Sequence, residues 1–91
     1  MARIDETARN QFLNRHTGWI LDGETITKVF VFTDFNEAIG FVTRVAMLAE
    51  VADHHPDIDI RWNKVTIALS SHDVGSLTIK DISLAAAIEA M

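Results

Sequence analysis

The sequence predicts an α+β domain in the order α-β-β-α-β-β-α, with an antiparallel-dominated sheet and helices packed on one face. Two strand-rich stretches, residues 19–33 and 57–71, are each interrupted by a turn signal, so each reads as a hairpin. Three segments repeat apolar residues at spacings of three and four, and the middle one separates the hairpins as a crossover helix. Hairpins joined by a helical crossover leave helices on one side of a sheet, with the core between the two layers. The 91 residues support one domain, 1–91, because two cores in that length would each be marginal.

The first helix is expected from Asp5 to His16, where Ala8, Phe12 and Leu13 form a modest apolar stripe and Thr17-Gly18 provides the exit. Trp19-Ile20-Leu21 leads into Asp22-Gly23, whose glycine tolerates the positive φ of a tight hairpin. Thr25 to Thr33 is the second strand, with Phe30 and Phe32 on one face and Val29 and Val31 on the other. Both faces are apolar, so one should meet the helices and the other a partner subunit or a ligand.

Asp34 and Glu37 are spaced for a capping box at the start of the second helix. Phe35, Ala38/Ile39, Val42, Val45/Ala46, Ala49 and Ala52 give that helix one broad apolar side, and Phe41 and Leu48 widen the arc beyond what one sheet face needs. Pro56 stops the helix and biases the preceding residue away from the α region, which puts His54 and His55 in the last turn or just past it. Ile58–Trp62 and Lys64–Ser70 form the second hairpin, turning at Asn63-Lys64, with Val65, Ile67 and Leu69 sharing a face. After a loop centred on Gly75, Thr78 and Asp81 make a second potential capping box for a last helix patterned by Ile79, Ile82, Ala85/Ala86 and Ile88.

Composition narrows the chemistry. Thirteen acidic against eight basic side chains give a formal charge of −5, which weakens attraction to nucleic acid or anionic membrane. No basic stripe or assignable recognition helix supports direct nucleic-acid binding. The absence of cysteine excludes disulfides, thiolate catalysis, cysteine-bound zinc and iron–sulfur clusters, and is compatible with a cytoplasmic location. The opening MARIDETARN has no continuous apolar run, and no stretch approaches the roughly 20 apolar residues of a membrane span, so a soluble protein is expected. Glycines stand singly at 18, 23, 40 and 75 and form no phosphate loop.

Three of the four histidines flank one predicted region: His54 and His55 end the second helix, and His72 follows the fourth strand. Histidine suits proton exchange near neutrality, since one ring can donate or accept. Glu50 lies four residues before His54, on the same helical face, where it could fix a ring tautomer or stabilise imidazolium. Trp62 offers a flat apolar surface for a heteroaromatic ring. Each feature also has a plainer reading. A His-His pair can cap a helix dipole, His72 can be solvated, Glu50 can be surface charge, Trp62 can be core, and Asp81 can serve only as the N3 carboxylate of the last helix. Ser70, Ser71 and Ser76 form no nucleophile elbow and read as turn or edge residues. Histidine and carboxylate could ligate a metal, but without HExxH or cysteine pairs no metal set is assigned.

In combination these residues are specific. Glu50, His54-His55-Pro56, Trp62, His72 and Asp81, at their spacings, resemble the signature of the pterin-4a-carbinolamine dehydratase family. Trp19 to Asp22, Phe30 to Phe35 and Gly75 to Asp81 also resemble it, so the likeness covers nearly the whole chain after the first helix. The resemblance implies a four-stranded antiparallel sheet with three helices packed on one face. It implies dehydration of 4a-hydroxytetrahydropterin to quinonoid dihydropterin, a step of tetrahydrobiopterin recycling coupled to an aromatic amino acid hydroxylase. The match places His54, His55 and His72 at the family's catalytic histidines and Asp81 at its acidic position, with Glu50 expected to tune His54 and Trp62 to support the ring. No metal, nicotinamide or flavin cofactor is called for, because eliminating water transfers no electrons and the pterin is the substrate. A homodimer or homotetramer is implied. The alternative is a non-enzymatic interaction module, since members of the family also act as a dimerisation cofactor of a transcription factor or as assembly factors; the intact histidine set favours catalysis.

Overall fold

Seven elements form along residues 2–91 of the computed structural model: α1 (Glu6–Arg15), β1 (Ile20–Asp22), β2 (Thr25–Val31), α2 (Phe35–Ala52), β3 (Asp57–Arg61), β4 (Lys64–Leu69) and α3 (Ile79–Glu89). Met1, where the expected domain 1–91 begins, lies outside the described residues. The order is the α-β-β-α-β-β-α read from the sequence. The strands form one antiparallel sheet in the order β1-β2-β4-β3. Its centre is the pairing of β2 with β4, from Ile26↔Leu69 to Val31↔Lys64, which joins the two hairpins.

Alternation decides which face of the sheet meets the helices. Ile26, Val65, Ile67 and Leu69 are wholly buried against Phe12, Phe41, Val45, Ala49, Leu84 and Ile88, while Val29 and Val31 on the opposite face are 52% and 63% exposed. Each fully buried branched side chain contributes about 1.5–3 kcal/mol relative to exposure. Phe41 packs between Phe30 and Phe32, with ring centroids 4.7 and 4.9 Å away. At the far end of the core, Trp19 Nε1 donates to Glu89 Oε1 at 2.9 Å, and Lys28 also bonds Glu89, so the end of α3 is tied to β1 and β2.

Local details depart from the expectations for identifiable reasons. The core face of α2 is Ala38, Phe41, Val45 and Ala49, so Phe41 belongs to the core, whereas Phe35 and Ile39, expected to face the sheet, are exposed. Asp34 caps α2 by accepting from Glu37 N at 2.9 Å, but the Glu37 carboxylate takes the amide of Thr33 (3.0 Å) and not that of Asp34, so the reciprocal half of the box is shifted by one residue. β2 stops at Val31 because β4 begins opposite it at Lys64; Phe32 N instead donates to Asn63 O at 2.8 Å. The second hairpin turns at Trp62-Asn63, not Asn63-Lys64, since Arg61 pairs with Lys64. Trp62 therefore leaves the strand, with φ 51.

Candidate active site

The end of α2 determines where the histidines go. Asp53 adopts the left-handed conformation (φ 51, ψ 45), Asp53 N donates to Glu50 O at 3.2 Å and His54 N to Ala49 O at 3.1 Å. This is the hydrogen-bond pattern of a Schellman motif, with aspartate where glycine is usual. It turns the chain sharply, so His54 and His55 leave the helix axis instead of continuing its last turn, and β3 starts just after Pro56. Asp57 pairs with Ala68, so this exit stands beside the end of β4. From there the chain enters a loop closed by the bridge Ser71↔Ser76, with Ser71 O accepting from Gly75 N at 2.8 Å and from Val74 N at 3.1 Å. His72 sits exposed on that loop.

The loop, the exit of α2 and the start of α3 converge on Asp81. Its carboxylate is completely buried, as is Thr78, and Ser71 is 2% exposed. Asp81 Oδ1 meets His54 Nε2 at 2.5 Å. Asp81 Oδ2 accepts from Ser71 Oγ and from Thr78 N, both at 2.9 Å, and Ser71 Oγ lies 2.7 Å from Thr78 Oγ1. A buried carboxylate is tolerable only with such compensation. Its place at N3 of α3, inside a complete capping box with Thr78, adds the favourable end of the helix dipole. Asp81 is therefore both the N3 carboxylate of α3 and the partner of the His54 ring.

With Nε2 held by Asp81, His54 is left with Nδ1 as its other ring nitrogen. Nδ1 has no hydrogen-bond partner among the described residues, and no buried side-chain nitrogen or oxygen is left unpaired there, so Nδ1 reaches solvent. The ring as a whole is only 12% exposed. An imidazole held by a buried carboxylate on one nitrogen and open on the other has one nitrogen free to exchange a proton with a bound group.

His55 is paired differently. Its Nε2 lies 2.6 Å from Glu50 Oε1, in the open, so Glu50 orients His55 and not His54 as expected. Trp62 is not brought to the histidines. It tips the β3–β4 hairpin, five residues along an extended strand from Asp57, about 17 Å away. It is also 66% exposed and so is not a core residue. Ser71, read from the sequence as a turn or edge residue, is a buried partner of Asp81, and nothing local in the sequence marks it as one. Elsewhere, Leu48, Val51, Ala52, Ile79 and Leu84 line an open apolar groove between α2 and α3 that continues past Met47 to Met91. Its charged lining residues are Lys80 and Arg44, so it offers apolar surface without an acid–base pair. No helix among the described residues is long and apolar enough to cross a membrane.

The sequence matches the family described as pterin 4 alpha carbinolamine dehydratase over residues 2–91. A protein of Roseiflexus castenholzii named for pterin-4-alpha-carbinolamine dehydratase is 51% identical over 88 residues, covering 97% of this chain and 95% of the relative. One of Chloroflexus aggregans with the same name is 51% identical over 90 residues, covering 98% and 96%. Among solved structures, a transcriptional coactivator/pterin dehydratase from Brucella melitensis superposes with a TM-score of 0.90 at 37% identity, covering 98% of this chain and 97% of that one. A pterin dehydratase-like protein identified as a RuBisCO assembly factor in the alpha-carboxysome superposes with a TM-score of 0.70 at 26% identity, covering 82% and 89%.

Proposed function

This chain belongs to the pterin 4 alpha carbinolamine dehydratase family, and from that premise we propose that it removes water from 4a-hydroxytetrahydropterin to give quinonoid dihydropterin. The observation that carries the reading is the buried Asp81 carboxylate on His54 Nε2, with Nδ1 left open. Departure of hydroxide from C4a is unfavourable, so a proton must reach that oxygen as the carbon–oxygen bond breaks. His54 supplies it from Nδ1, its imidazolium stabilised by Asp81. Another proton leaves a ring nitrogen as the conjugated product forms, and His72 accepts it. His55, oriented by Glu50, hydrogen-bonds the substrate and exchanges protons with solvent. One proton is gained, one is lost and water departs; no electrons move to the protein, so no cofactor is required. Trp62 is too far along its hairpin to support the ring within the same subunit.

Steady-state dehydration of freshly generated 4a-hydroxytetrahydropterin tests the assignment in H54A, H55A and H72A proteins. Loss of the principal acid should cost about 10²–10⁴ in rate. H54A should fall in that range, H72A next and H55A least, and three variants with full turnover would remove the mechanism. The reading also places the protein in the cytoplasm, as a recycling partner of an aromatic amino acid hydroxylase, and as a homodimer or homotetramer joined through its exposed apolar surface.

One observation favours a second role beside catalysis. Met47 and Val51, one turn apart near the end of α2, are both exposed, Val51 to 89%. Such a patch suits an interaction module. Wild-type dehydration rates in a monomeric variant with Met47 and Val51 replaced by glutamate would separate the two roles.

A further inference from the structure

We infer that Ser71 is a positioning residue for the dehydration, acting through Asp81 to keep a proton on His54 Nε2 in both the imidazolium and the neutral ring, so that Nδ1 is the nitrogen that faces outward and gives up its proton. The inference rests on the activity proposed above and adds a residue and a tautomer to it. As a carboxylate, Asp81 can only accept hydrogen bonds, so the single hydroxyl proton of Ser71 is committed to Oδ2 at 2.9 Å. The 2.7 Å contact between Ser71 Oγ and Thr78 Oγ1 must then run from Thr78 to Ser71, which fixes the donor order Thr78 to Ser71 to Asp81. Thr78 N is the second donor to Oδ2. Two donors on one oxygen set the plane of the carboxylate and leave Oδ1 for His54.

The position of Ser71 is itself fixed from both sides. Its amide donates to Ser76 O at 3.1 Å and its carbonyl accepts from Gly75 and Val74, so its backbone is the closure of the loop that carries His72. Its side chain points away from that loop to the carboxylate that orients His54. One residue therefore connects the two histidines assigned to opposite proton transfers. Removing the hydroxyl leaves Oδ2 with one donor and Thr78 Oγ1 without its acceptor; the carboxylate can then rotate, and the Nε2–H tautomer of His54 loses its fixed partner. Because Ser71 is 2% exposed with its hydroxyl turned to Asp81, the loss should appear in kcat and not in KM.

The test combines kinetics with nitrogen-15 NMR of the histidine rings in S71A, S71T, S71C, H54Q and S71A/H54Q proteins. The S71A protein should lose on the order of tenfold in kcat, below the 10²-fold that an ångström of misplacement can cost, with KM within about twofold. S71T, which keeps the hydroxyl, should recover most of that loss. In its neutral form His54 should be a single Nε2–H tautomer in wild type and a mixture in S71A, and S71A should add nothing once His54 is glutamine. Unchanged kcat in S71A, an equal loss in the H54Q background, or an unshifted His54 tautomer would each overturn the inference. If S71A does not fold, S71C keeps the volume with a weaker donor, and the same criteria apply to it. Full turnover in H54Q would instead overturn the role proposed for His54, while the NMR measurement would still decide whether Ser71 governs its tautomer.

Discussion

Two neighbouring residues, His54 and His55, carry the same kind of pair in opposite surroundings. Each Nε2 meets a carboxylate oxygen, at 2.5 Å for Asp81 and 2.6 Å for Glu50. The His54 side chain is 12% exposed and Asp81 not at all, whereas His55 and Glu50 are 59% and 77% exposed. Distance alone would rank the pairs as equals. Burial and the additional donors on Asp81 separate them, since charges in water are screened and buried ones are strongly coupled to whatever surrounds them. One pair is part of the fold and defines a ring orientation; the other is a surface contact that can be remade by rotation of a side chain.

Asp81→Asn should damage the buried pair most. The amide keeps the shape but turns an NH₂ group toward donors that formerly met oxygen: Thr78 N and Ser71 Oγ on one side or the His54 ring on the other. Removing one partner of a buried pair typically costs 3–5 kcal/mol, and here the capping box of α3 is impaired as well. Urea unfolding should register a loss of about 3 kcal/mol. Turnover should fall at least as far as in H54A, measured where the variant is still folded. A stable variant with normal turnover would mean that the buried pair is ornamental.

A gentler change acts on the residue that sends the two histidines apart. Asp53 occupies the left-handed region, which costs an ordinary residue about 1–2 kcal/mol and aspartate less. Asp53→Gly should therefore raise stability by about 0.5 kcal/mol, limited by the extra entropy of glycine in the unfolded chain. Thermal unfolding reports this directly. Both histidine pairs should persist, because the same backbone turn is retained; loss of the His54 orientation by NMR would show that the Asp53 side chain, and not only its backbone, directs the exit.

That turn also marks the limit of what could be read from the sequence. The strands and helices were legible because Val65, Ile67 and Leu69 alternate and because Asp34 and Thr78 announce helix starts, and these are local signals. The i,i+4 spacing points Glu50 at His54, but the helix has already unwound at Asp53 and the carboxylate meets His55. Aspartate at a left-handed C-cap gives a weaker warning than glycine would. The pattern Ile58–Trp62 reads as strand to its end, but the register Arg61↔Lys64 puts Trp62 in the turn, a consequence of pairing that the sequence does not display. Ser71 was invisible as a partner of Asp81 because ten residues, including the loop closed by Ser71↔Ser76, must fold before they meet. Phe35 and Ile39 looked like core because the apolar arc of α2 is wider than the sheet it covers, and hydrophobicity alone cannot choose which side of a wide arc is buried.

The smallest effect belongs to the exposed pair. Glu50→Gln preserves size and removes only the charge facing His55, and pairs of this exposure are worth 0.2–1 kcal/mol at most. Stability should change by less than about 0.5 kcal/mol, and that difference should disappear in molar salt, where the screening length falls to about 3 Å. Turnover should drop by less than about threefold, because glutamine can still accept a hydrogen bond from His55 and solvent can replace the lost stabilisation of its cation. A larger, salt-resistant loss of turnover would require the Glu50–His55 pair to be shielded from water when the enzyme works, by the substrate or by a second subunit. The two pairs would then differ in burial only in the isolated chain, and His55 would join His54 as a ring oriented by a desolvated carboxylate.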